Sequence, residues 1–159
     1  MKKDEKTNVM RLLEQKKIPY NQYCYADTDA ISGTDVARVL NQDPNRVFKT
    51  LVTVGGKTGQ HFVFVIPVER ELDLKKAAKA VGEKSIEMLK QKDLLPTTGY
   101  IHGGCSPIGM KKLFTTTFHE TAANYDTIIF SAGKIGYQVE VTPSDLQKVI
   151  PYKTADICI

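Results

Sequence analysis

The sequence lacks an apolar segment that is long enough to cross a bilayer. Its longest apolar run, Phe62 to Val68, is interrupted by Pro67 and is much shorter than the roughly 20 residues that a spanning helix needs. The first residues, Met1 to Lys6, are mostly charged and lack the apolar stretch of a secretory signal peptide. We therefore expect a cytoplasmic protein that makes no membrane contact.

Cysteine is scarce, and its distribution argues against a disulfide framework. Cys24, Cys105 and Cys158 lie far apart and form no CxxC pair. His102 and Cys105 form an isolated H-x-x-C pair, whereas a zinc site needs about four ligands at a recognisable spacing. The sequence therefore gives little support for a metal site.

The sequence also lacks Pro/Gly/Ser-rich linkers, internal repeats and segments whose composition indicates disorder. A length of 159 residues suffices for one domain with a sizeable core, so we expect a single domain spanning residues 1–159. The formal net charge of +4 and the pI of about 8.9 are mildly basic. This charge suits contact with a phosphate backbone, but many unrelated proteins share it.

Hydrophobic periodicity predicts a mixture of helices and strands. Helices are predicted to begin near Thr7 and after Ser32, Asp73 and Thr142. Strands are predicted at Tyr20–Tyr25, Val47–Val54, His61–Ile66, Thr115–Phe118, Thr127–Phe130 and Tyr137–Val141. Strands thus dominate the middle of the chain and helices punctuate them, which is typical of an α+β domain.

Two of these strands carry further information about the sheet. The loop between Val47–Val54 and His61–Ile66 has only about five residues, which predicts an antiparallel hairpin. The second strand is apolar on both faces after His61, so we expect it to be central in its sheet. The segment Ser85–Leu95 fits either a strand or a helix.

Lys49 is the most informative single candidate for a functional residue. Its strand has apolar residues at both parities, so simple alternation does not place Lys49 on a solvent-facing side. Partial desolvation would strengthen the hold of this lysine on an anion. The structural alternative is an edge-strand lysine whose stem packs on apolar neighbours while its ammonium reaches water.

Two glycine-containing segments are the other local candidates. In Gly103 to Gly109, three glycines around a Ser-Pro step let the backbone approach a ligand, and successive amides can bind an anion or an oxyanion. The segment lacks the spacing of a nucleotide P-loop. The small residues of Ser131 to Gly136 would leave room beside a pocket. A simple turn explains either segment equally well.

No Ser/His/Asp arrangement or paired-carboxylate motif stands out in the sequence. Cys105 as a nucleophile would need a nearby base such as His102. Two residues three apart in a glycine-rich loop have no fixed relative geometry, so this pairing is weakly supported. Local motifs alone leave the function unassigned.

Phe48-Lys49-Thr50-Leu51, read together with the Gly103 to Gly109 segment, resembles the YbaK/EbsC family of Cys-tRNA(Pro) deacylases. These proteins are relatives of the editing domain inserted in bacterial prolyl-tRNA synthetases. The similarity runs in order from about Ile18 to Leu146, and the combined order and spacing of the motifs is specific. Further matching stretches are Pro67-Val68, Leu72 to Ala77, Thr98-Gly99-Tyr100 and Ser131 to Lys134.

The resemblance implies a mixed, mostly antiparallel, β-barrel-like sheet surrounded by helices, with no metal and no cofactor. It places the catalytic lysine at Lys49. It implies that the 3′ end of an aminoacyl-tRNA(Pro) binds the site and that prolyl-tRNA synthetase is a partner that would supply tRNA specificity. It assigns substrate contacts to Tyr25, Thr50, Gly103, Gly104, Ser106, Pro107, Ser131, Gly133 and Gln138.

Three departures from the family pattern bear on substrate preference. Ser32 stands where many relatives carry an aromatic residue, and Gln138 stands where relatives often carry aspartate. Both substitutions leave the preferred aminoacyl group open. Cys105 occupies a position at which relatives carry an apolar or small residue, so we expect it to form a wall of the site.

The resemblance further implies trans-editing of Cys-tRNA(Pro), in which the thiol of the substrate cysteine attacks its own ester and releases a cyclic thiolactone. On this hypothesis Lys49 holds the terminal ribose or phosphate, the amides of Gly103 and Gly104 orient the carbonyl, and Tyr25 and Ser131 shape the pocket. Two alternatives stay open. The chain would be a non-catalytic module that binds an aminoacyl or nucleotide group, or a deacylase for another small amino acid such as alanine.

Overall fold

The computed structural model describes residues 6–159, so most of the charged Met1 to Lys6 stretch lies outside the described residues. Within the described part, the helices are α1 (Asn8–Gln15), α2 (Gly33–Val39), α3 (Leu74–Val81), α4 (Gln91–Thr98) and α5 (Pro143–Leu146), with 3₁₀ turns at Pro44–Arg46 and Glu120–Asn124. The strands are β1 (Asn21–Cys24), β2 (Phe48–Gly55), β3 (His61–Pro67), β4 (Ile86–Met88), β5 (Thr115–His119), β6 (Ile128–Ser131), β7 (Tyr137–Val141) and β8 (Lys153–Ala155).

Local sequence signals set the predicted helix starts. The side chains of Thr7, Ser32 and Asp73 each accept a hydrogen bond from a backbone N–H in the first turn of α1, α2 and α3, respectively. α3 ends at Gly82, which adopts a left-handed conformation with φ of 77°. The four predicted helix starts are confirmed.

The strands form two separate sheets. The smaller sheet has the order β1-β7-β6 and is antiparallel. The larger has the order β4-β2-β3-β5-β8, in which β5 runs parallel to both β3 and β8. The antiparallel β2–β3 hairpin and the central position of β3 are confirmed. The α+β class is also confirmed, although the two sheets do not close into a barrel.

The larger sheet is buried on both faces, which explains why β3 is apolar throughout. The face that carries Val63 and Val65 packs into the main core together with Phe130 and Val139 of the smaller sheet. The opposite face packs against α3 through a cluster that includes Phe62, Phe64, Ile66, Ala77 and Ala78. Both layers hold β2 in a fixed position between β3 and β4.

The segment Ser85–Leu95, whose sequence fits either a strand or a helix, contains a strand and the start of a helix. Ile86–Met88 forms the short edge strand β4, and Gln91–Thr98 forms α4. The sequence pattern also gave no indication of β8, a three-residue strand whose pairing partner, β5, is distant in sequence. No helix among residues 6–159 has the length and apolar character required to span a bilayer.

Candidate active site

A cavity of about 590 Å³ opens beside β2. Its walls come from segments that are distant in sequence. Most lining residues belong to β2, the start of α2 and the loop after α4, and single residues come from β6, β7, α4 and the positions after β1 and β3. The residues that line it are Tyr25, Ile31, Ser32, Gly33, Thr34, Val36, Val47, Phe48, Lys49, Thr50, Leu51, Val68, Leu94, His102, Gly103, Cys105, Ser131 and Gln138.

Five consecutive residues, Val47 to Leu51, line this cavity from β2 and the position before it. Successive side chains of a strand point to opposite faces, so a cavity above one face would meet only alternate residues. β4 pairs with β2 only at Thr53 to Gly55. Within residues 6–159, Val47 forms a bridge with Ile129 of β6, but Phe48 to Leu51 pair only with β3. We infer from the consecutive lining residues that the cavity lies along this unpaired part of the edge opposite β3.

Lys49 contributes positive charge to this cavity. The residue is half-buried and lies beside Ile66 of β3, which fits both the partly desolvated lysine and the edge-strand lysine with a packed stem. No ion pair joins it to a carboxylate within residues 6–159, and no aspartate or glutamate lines the cavity there. An unneutralised cation in a partly apolar cavity favours an anionic ligand group.

Thr50 supplies a polar group that no residue in the described part of the chain satisfies. Its Oγ1 is buried and has no hydrogen-bond partner. A buried hydroxyl without a partner costs about 1–3 kcal/mol, so such groups in native proteins call for an explanation. Because Thr50 lines the cavity, its hydroxyl is a candidate for a hydrogen bond to a ligand there.

Gln138 forms part of the cavity wall and is 5% exposed. The Nε2 of Gln42 donates a hydrogen bond to the Oε1 of Gln138 at 2.8 Å. This contact fixes the Gln138 amide between β7 and the segment that follows α2. The wall at this point is therefore neutral and polar.

The glycine-rich segment contributes fewer residues to the cavity than the sequence predicts. Gly103 lines the cavity with a φ of 89°, a conformation that favours glycine. Gly104 lies behind it, where its N–H donates to the carbonyl of Ile101 at 3.0 Å. A Cβ on Gly104 would approach the Ile135 backbone nitrogen to 3.0 Å, so glycine here permits close packing of two loops.

Ser106 and Pro107 also lie outside the cavity wall. The fully buried Ser106 accepts a hydrogen bond from the N–H of Ile108 at 3.3 Å and so stabilises the loop internally. Pro107 lines a separate pocket of about 190 Å³ between α1 and the segment that follows α5. The structure thus places both residues in positions that support the loop, and their predicted contact with substrate stays a prediction.

The Ser131 to Gly136 segment begins at the last residue of β6 and turns into β7. It also borders the cavity. Ser131 lines the cavity, and its Oγ accepts a hydrogen bond from the N–H of Gly133 at 3.1 Å. Gly133 has a φ of 87°, and a Cβ there would lie 2.9 Å from the Tyr100 ring. Gly133 therefore shapes the turn, whereas Ser131 faces the cavity.

Tyr25 and Cys105 line the cavity with side chains that keep their protons at neutral pH. Burial raises the pKa of the Tyr25 hydroxyl. Burial also raises the pKa of the Cys105 thiol to about 12. A thiol with such a pKa supplies almost no thiolate, so the structure agrees with the prediction that Cys105 is a wall. Among residues 6–159, no group of three or more potential metal-ligating side chains occurs.

Sequence reasoning connected Ser32, the cap of α2, with substrate preference but missed the rest of the wall that α2 and Val68 build. A Cβ on Gly33 would lie 2.4 Å from Cγ1 of Val68, so only glycine allows the start of α2 to approach so closely. Ile31, before α2, and Leu94, in α4, also line the cavity. Their type and spacing are those of ordinary core residues, so no sequence signal marks them.

Comparison with known proteins places this chain in a family. Residues 28–149 match the model of the aminoacyl-tRNA editing domain. A protein of Enterococcus faecalis, provisionally named Cys-tRNA(Pro)/Cys-tRNA(Cys) deacylase EbsC, is 53% identical over 157 residues, which cover 98% of this chain and 95% of that protein.

Solved structures share the fold at lower sequence identity. One crystal structure, described provisionally as a trans-editing enzyme for prolyl-tRNA synthetase, is 22% identical with a TM-score of 0.80 over 98% of this chain and 99% of its own. The crystal structure of a hypothetical protein is 16% identical with a TM-score of 0.86 over 96% of this chain and 100% of its own. Because the family model covers most of the chain and the E. faecalis relative matches nearly all of it, this chain belongs to the aminoacyl-tRNA editing domain family.

Proposed function

We propose that this chain is a trans-editing deacylase that removes cysteine from mischarged Cys-tRNA(Pro). The proposal rests on one observation. Lys49, Thr50 with its unpartnered hydroxyl, and Gly103 line the same cavity, and no carboxylate of the described residues lines it. A volume of about 590 Å³ lies within the range of roughly 300–1,000 Å³ that is typical of ligand pockets. The provisional name of the 53% identical relative supports the choice of substrate.

The need for such an enzyme follows from the size of the substrate. Cysteine and proline have similar apolar volumes, which a binding pocket separates poorly, so a second hydrolytic site is required for fidelity. The ester that joins an amino acid to ribose is already activated. Catalysis therefore requires mainly positioning and stabilisation of developing charge.

Each cavity group has a role that its position supports. Lys49 binds the terminal phosphate or ribose and stabilises negative charge near the scissile ester. Thr50 donates or accepts a hydrogen bond with the same part of the substrate. The Gly103 amide orients the aminoacyl carbonyl, whereas the Gly104 amide is already used within its loop. Tyr25, Ser131 and Gln138 shape the space for the aminoacyl side chain.

The nucleophile in this proposal is the substrate's own thiol, which attacks the ester carbonyl and releases a cyclic thiolactone with free tRNA. No enzyme nucleophile is required. The high pKa of Cys105 supports this route, because the only cysteine in the cavity wall of the described residues is held as a neutral thiol. We place this activity in the cytoplasm, where tRNA is charged.

We also propose that prolyl-tRNA synthetase acts beside this protein and supplies specificity for the tRNA body. The net charge of +4 is modest for a protein that would grip an entire tRNA alone. Adding prolyl-tRNA synthetase should therefore lower the KM for Cys-tRNA(Pro) without raising kcat. An unchanged KM across a titration of the synthetase would contradict this partnership.

Initial rates on cysteinyl, seryl and alanyl esters of one tRNA test the proposed function. Cys-tRNA(Pro) should react fastest, because a thiol with a pKa of about 8.5 supplies a few per cent of thiolate near neutral pH, whereas the serine hydroxyl supplies almost none. The alanyl ester has no side-chain nucleophile and should be nearly inert. Binding of all three esters without turnover would favour the non-catalytic module. Alanyl cleavage as fast as cysteinyl cleavage would mean that water is the attacking group and that the enzyme is an alanyl deacylase.

A further inference from the structure

The cavity wall contains four titratable side chains within residues 6–159. They are Tyr25, Lys49, His102 and Cys105, and they come from three separate parts of the chain. His102 precedes Gly103 in the loop after α4 and is exposed at the edge of the cavity. His102 takes no part in the proposed contacts of Lys49, Thr50 and Gly103 with the substrate.

Of these four groups, only a histidine side chain ordinarily exchanges a proton near neutral pH. Tyr25 and Cys105 hold their protons, since burial raises the pKa of both side chains. A lysine side chain is ordinarily a cation under these conditions and cannot accept a proton. His102 is therefore the one proton acceptor that the described wall offers to a substrate.

The loop that carries His102 is held in place on both sides. Gly104 bonds back to the carbonyl of Ile101 at 3.0 Å, which closes a tight turn around His102 and Gly103. A Cβ on Gly103 would lie 3.4 Å from Ile31 and 3.5 Å from Ile135, so the turn is packed between two neighbouring loops. These contacts anchor the backbone that carries the exposed imidazole beside the cavity.

The charged and titratable groups that share this region come from each neighbouring element. β2 contributes Lys49, the residue after β1 contributes Tyr25, and the same loop contributes Cys105. On the turn between β6 and β7, the Lys134 ammonium lies over the Tyr137 ring, 5.5 Å from its centroid. No carboxylate of residues 6–159 lines the cavity to compete for the imidazole.

We infer that His102 is the general base that takes the proton from the substrate thiol. This inference rests on the proposed function. The imidazole lone pair removes the thiol proton while the sulfur forms a bond to the ester carbonyl carbon. The intermediate then collapses as the bond from that carbon to the ribose oxygen breaks, and the imidazolium returns its proton to this oxygen. The products are the cyclic thioester and free tRNA, His102 is regenerated, and no co-reactant is consumed.

The test is the pH dependence of Cys-tRNA(Pro) deacylation by the wild type and by His102→Gln. The wild type should stay active at pH values well below those at which the substrate thiol ionises, because His102 removes the thiol proton as the sulfur attacks. The variant should follow ionisation of the substrate thiol, near pH 8.5 for an unperturbed thiol. At pH about 7 the variant should be slower by about 10² or more, and this difference should shrink steadily towards pH about 9.

Two controls separate this role from a structural one. His61→Gln changes a histidine outside the cavity wall and should leave the profile unchanged. Added imidazole should restore part of the activity of His102→Ala in proportion to its concentration. If the wild type is active but the wild-type and His102→Gln profiles run parallel, or imidazole gives no rescue, the role of His102 is refuted and the proposed function stands. A wild type that leaves Cys-tRNA(Pro) intact would refute both.

Discussion

Lys49 and Thr50 show how one strand edge brings unlike groups to the same site. They are adjacent in sequence and point to opposite faces of β2, yet both line the cavity because it lies along the open edge of the strand. One residue supplies a cation and the other a buried hydroxyl without a protein partner among residues 6–159. The expected consequence is that each can be changed without disturbing the position of the other.

Lys49→Ala should lower kcat/KM for Cys-tRNA(Pro) by about 10²–10³, the loss typical of removing one charge-stabilising group. The free energy of unfolding should not fall, because a half-buried cation with no partner carboxylate in the described chain does not stabilise the fold. Urea titration and initial rates measure the two quantities. Lys57→Ala, in the exposed loop between β2 and β3, is the matched control. Retention of most activity by Lys49→Ala would contradict its central role.

Cys105→Ala should change the deacylation rate less than about threefold, because the proposed route uses the thiol of the substrate and no enzyme thiol. Burial raises the pKa of Cys105 to about 12, so its alkylation near neutral pH should also be slow. Rates measured before and after iodoacetamide treatment provide the test, with Cys24→Ala as the control for a cysteine outside the cavity wall. Inactivation of the wild type but not of Cys105→Ala would identify an enzyme thiol in the reaction.

At the scale of elements, the contact between α2 and the segment after β3 closes one side of the site. The first residue of α2, Gly33, touches Val68, and the two residues line the cavity together. The side chain of Ser32 caps the same helix by accepting a hydrogen bond from the N–H of Asp35. The position of α2 therefore depends on a contact that any larger residue at position 33 would prevent.

Gly33→Ala should lower both the free energy of unfolding and the deacylation rate. The added Cβ would lie 2.4 Å from Cγ1 of Val68, and such overpacking typically costs about 1–3 kcal/mol. Urea unfolding and initial rates measure the two effects. The double variant Gly33→Ala/Val68→Ala removes the obstructing methyl groups and should recover part of both losses. A double variant as impaired as Gly33→Ala would show that the contact with Val68 is not the cause.

At the scale of the whole molecule, a half-buried cluster around Glu140 and a buried cluster around His119 connect distant segments and respond to pH. Glu140 of β7 accepts hydrogen bonds from Tyr23 and Thr127 and forms an ion pair with Arg46 at 2.9 Å. Burial tends to raise its pKa, but these bonds together outweigh burial and lower it. His119 of β5 accepts a hydrogen bond from the N–H of Ile157, and burial together with the nearby Arg70 lowers its pKa.

Both shifts predict that acidification lowers the free energy of unfolding. As the pH falls below 6.5, the ordinary value for histidine, the unfolded chain takes up a proton at His119 that the folded chain rejects. Below 4.5, the ordinary value for glutamate, the same imbalance arises at Glu140 until the pH passes its lowered folded pKa. Urea titrations at several pH values should therefore show a plateau above neutrality and two successive declines below it.

Single variants assign each decline to its residue. His119→Asn should flatten the decline that begins near pH 6.5, and Glu140→Gln should flatten the one that begins near 4.5. His61→Asn is the control for loss of a half-buried histidine. The slope against pH is the quantity to compare, because each variant also changes the overall stability. An upper decline of the same slope in His119→Asn would exclude His119 as its source.

The sequence by itself determined the local elements and the chemistry available to them. Side-chain caps at Thr7, Ser32 and Asp73 and the left-handed Gly82 act within one helical turn, so their effects can be derived from neighbouring residues. The short loop after β2 likewise fixes an antiparallel hairpin. The order of the motifs around Lys49 and Gly103 indicated the family that the comparisons confirm.

Only the tertiary structure decided which candidate residues share a cavity. The four predicted contacts Gly103, Gly104, Ser106 and Pro107 lie within five consecutive residues, yet only Gly103 among them lines the site. Gly104 and Ser106 are held in contacts within the loop, and Pro107 faces a second pocket. The short strand β8 forms only by pairing with β5, far away in the chain. Contacts of this kind depend on the packing of two sheets and a helix against one another, and long-range packing leaves no periodic pattern in a sequence.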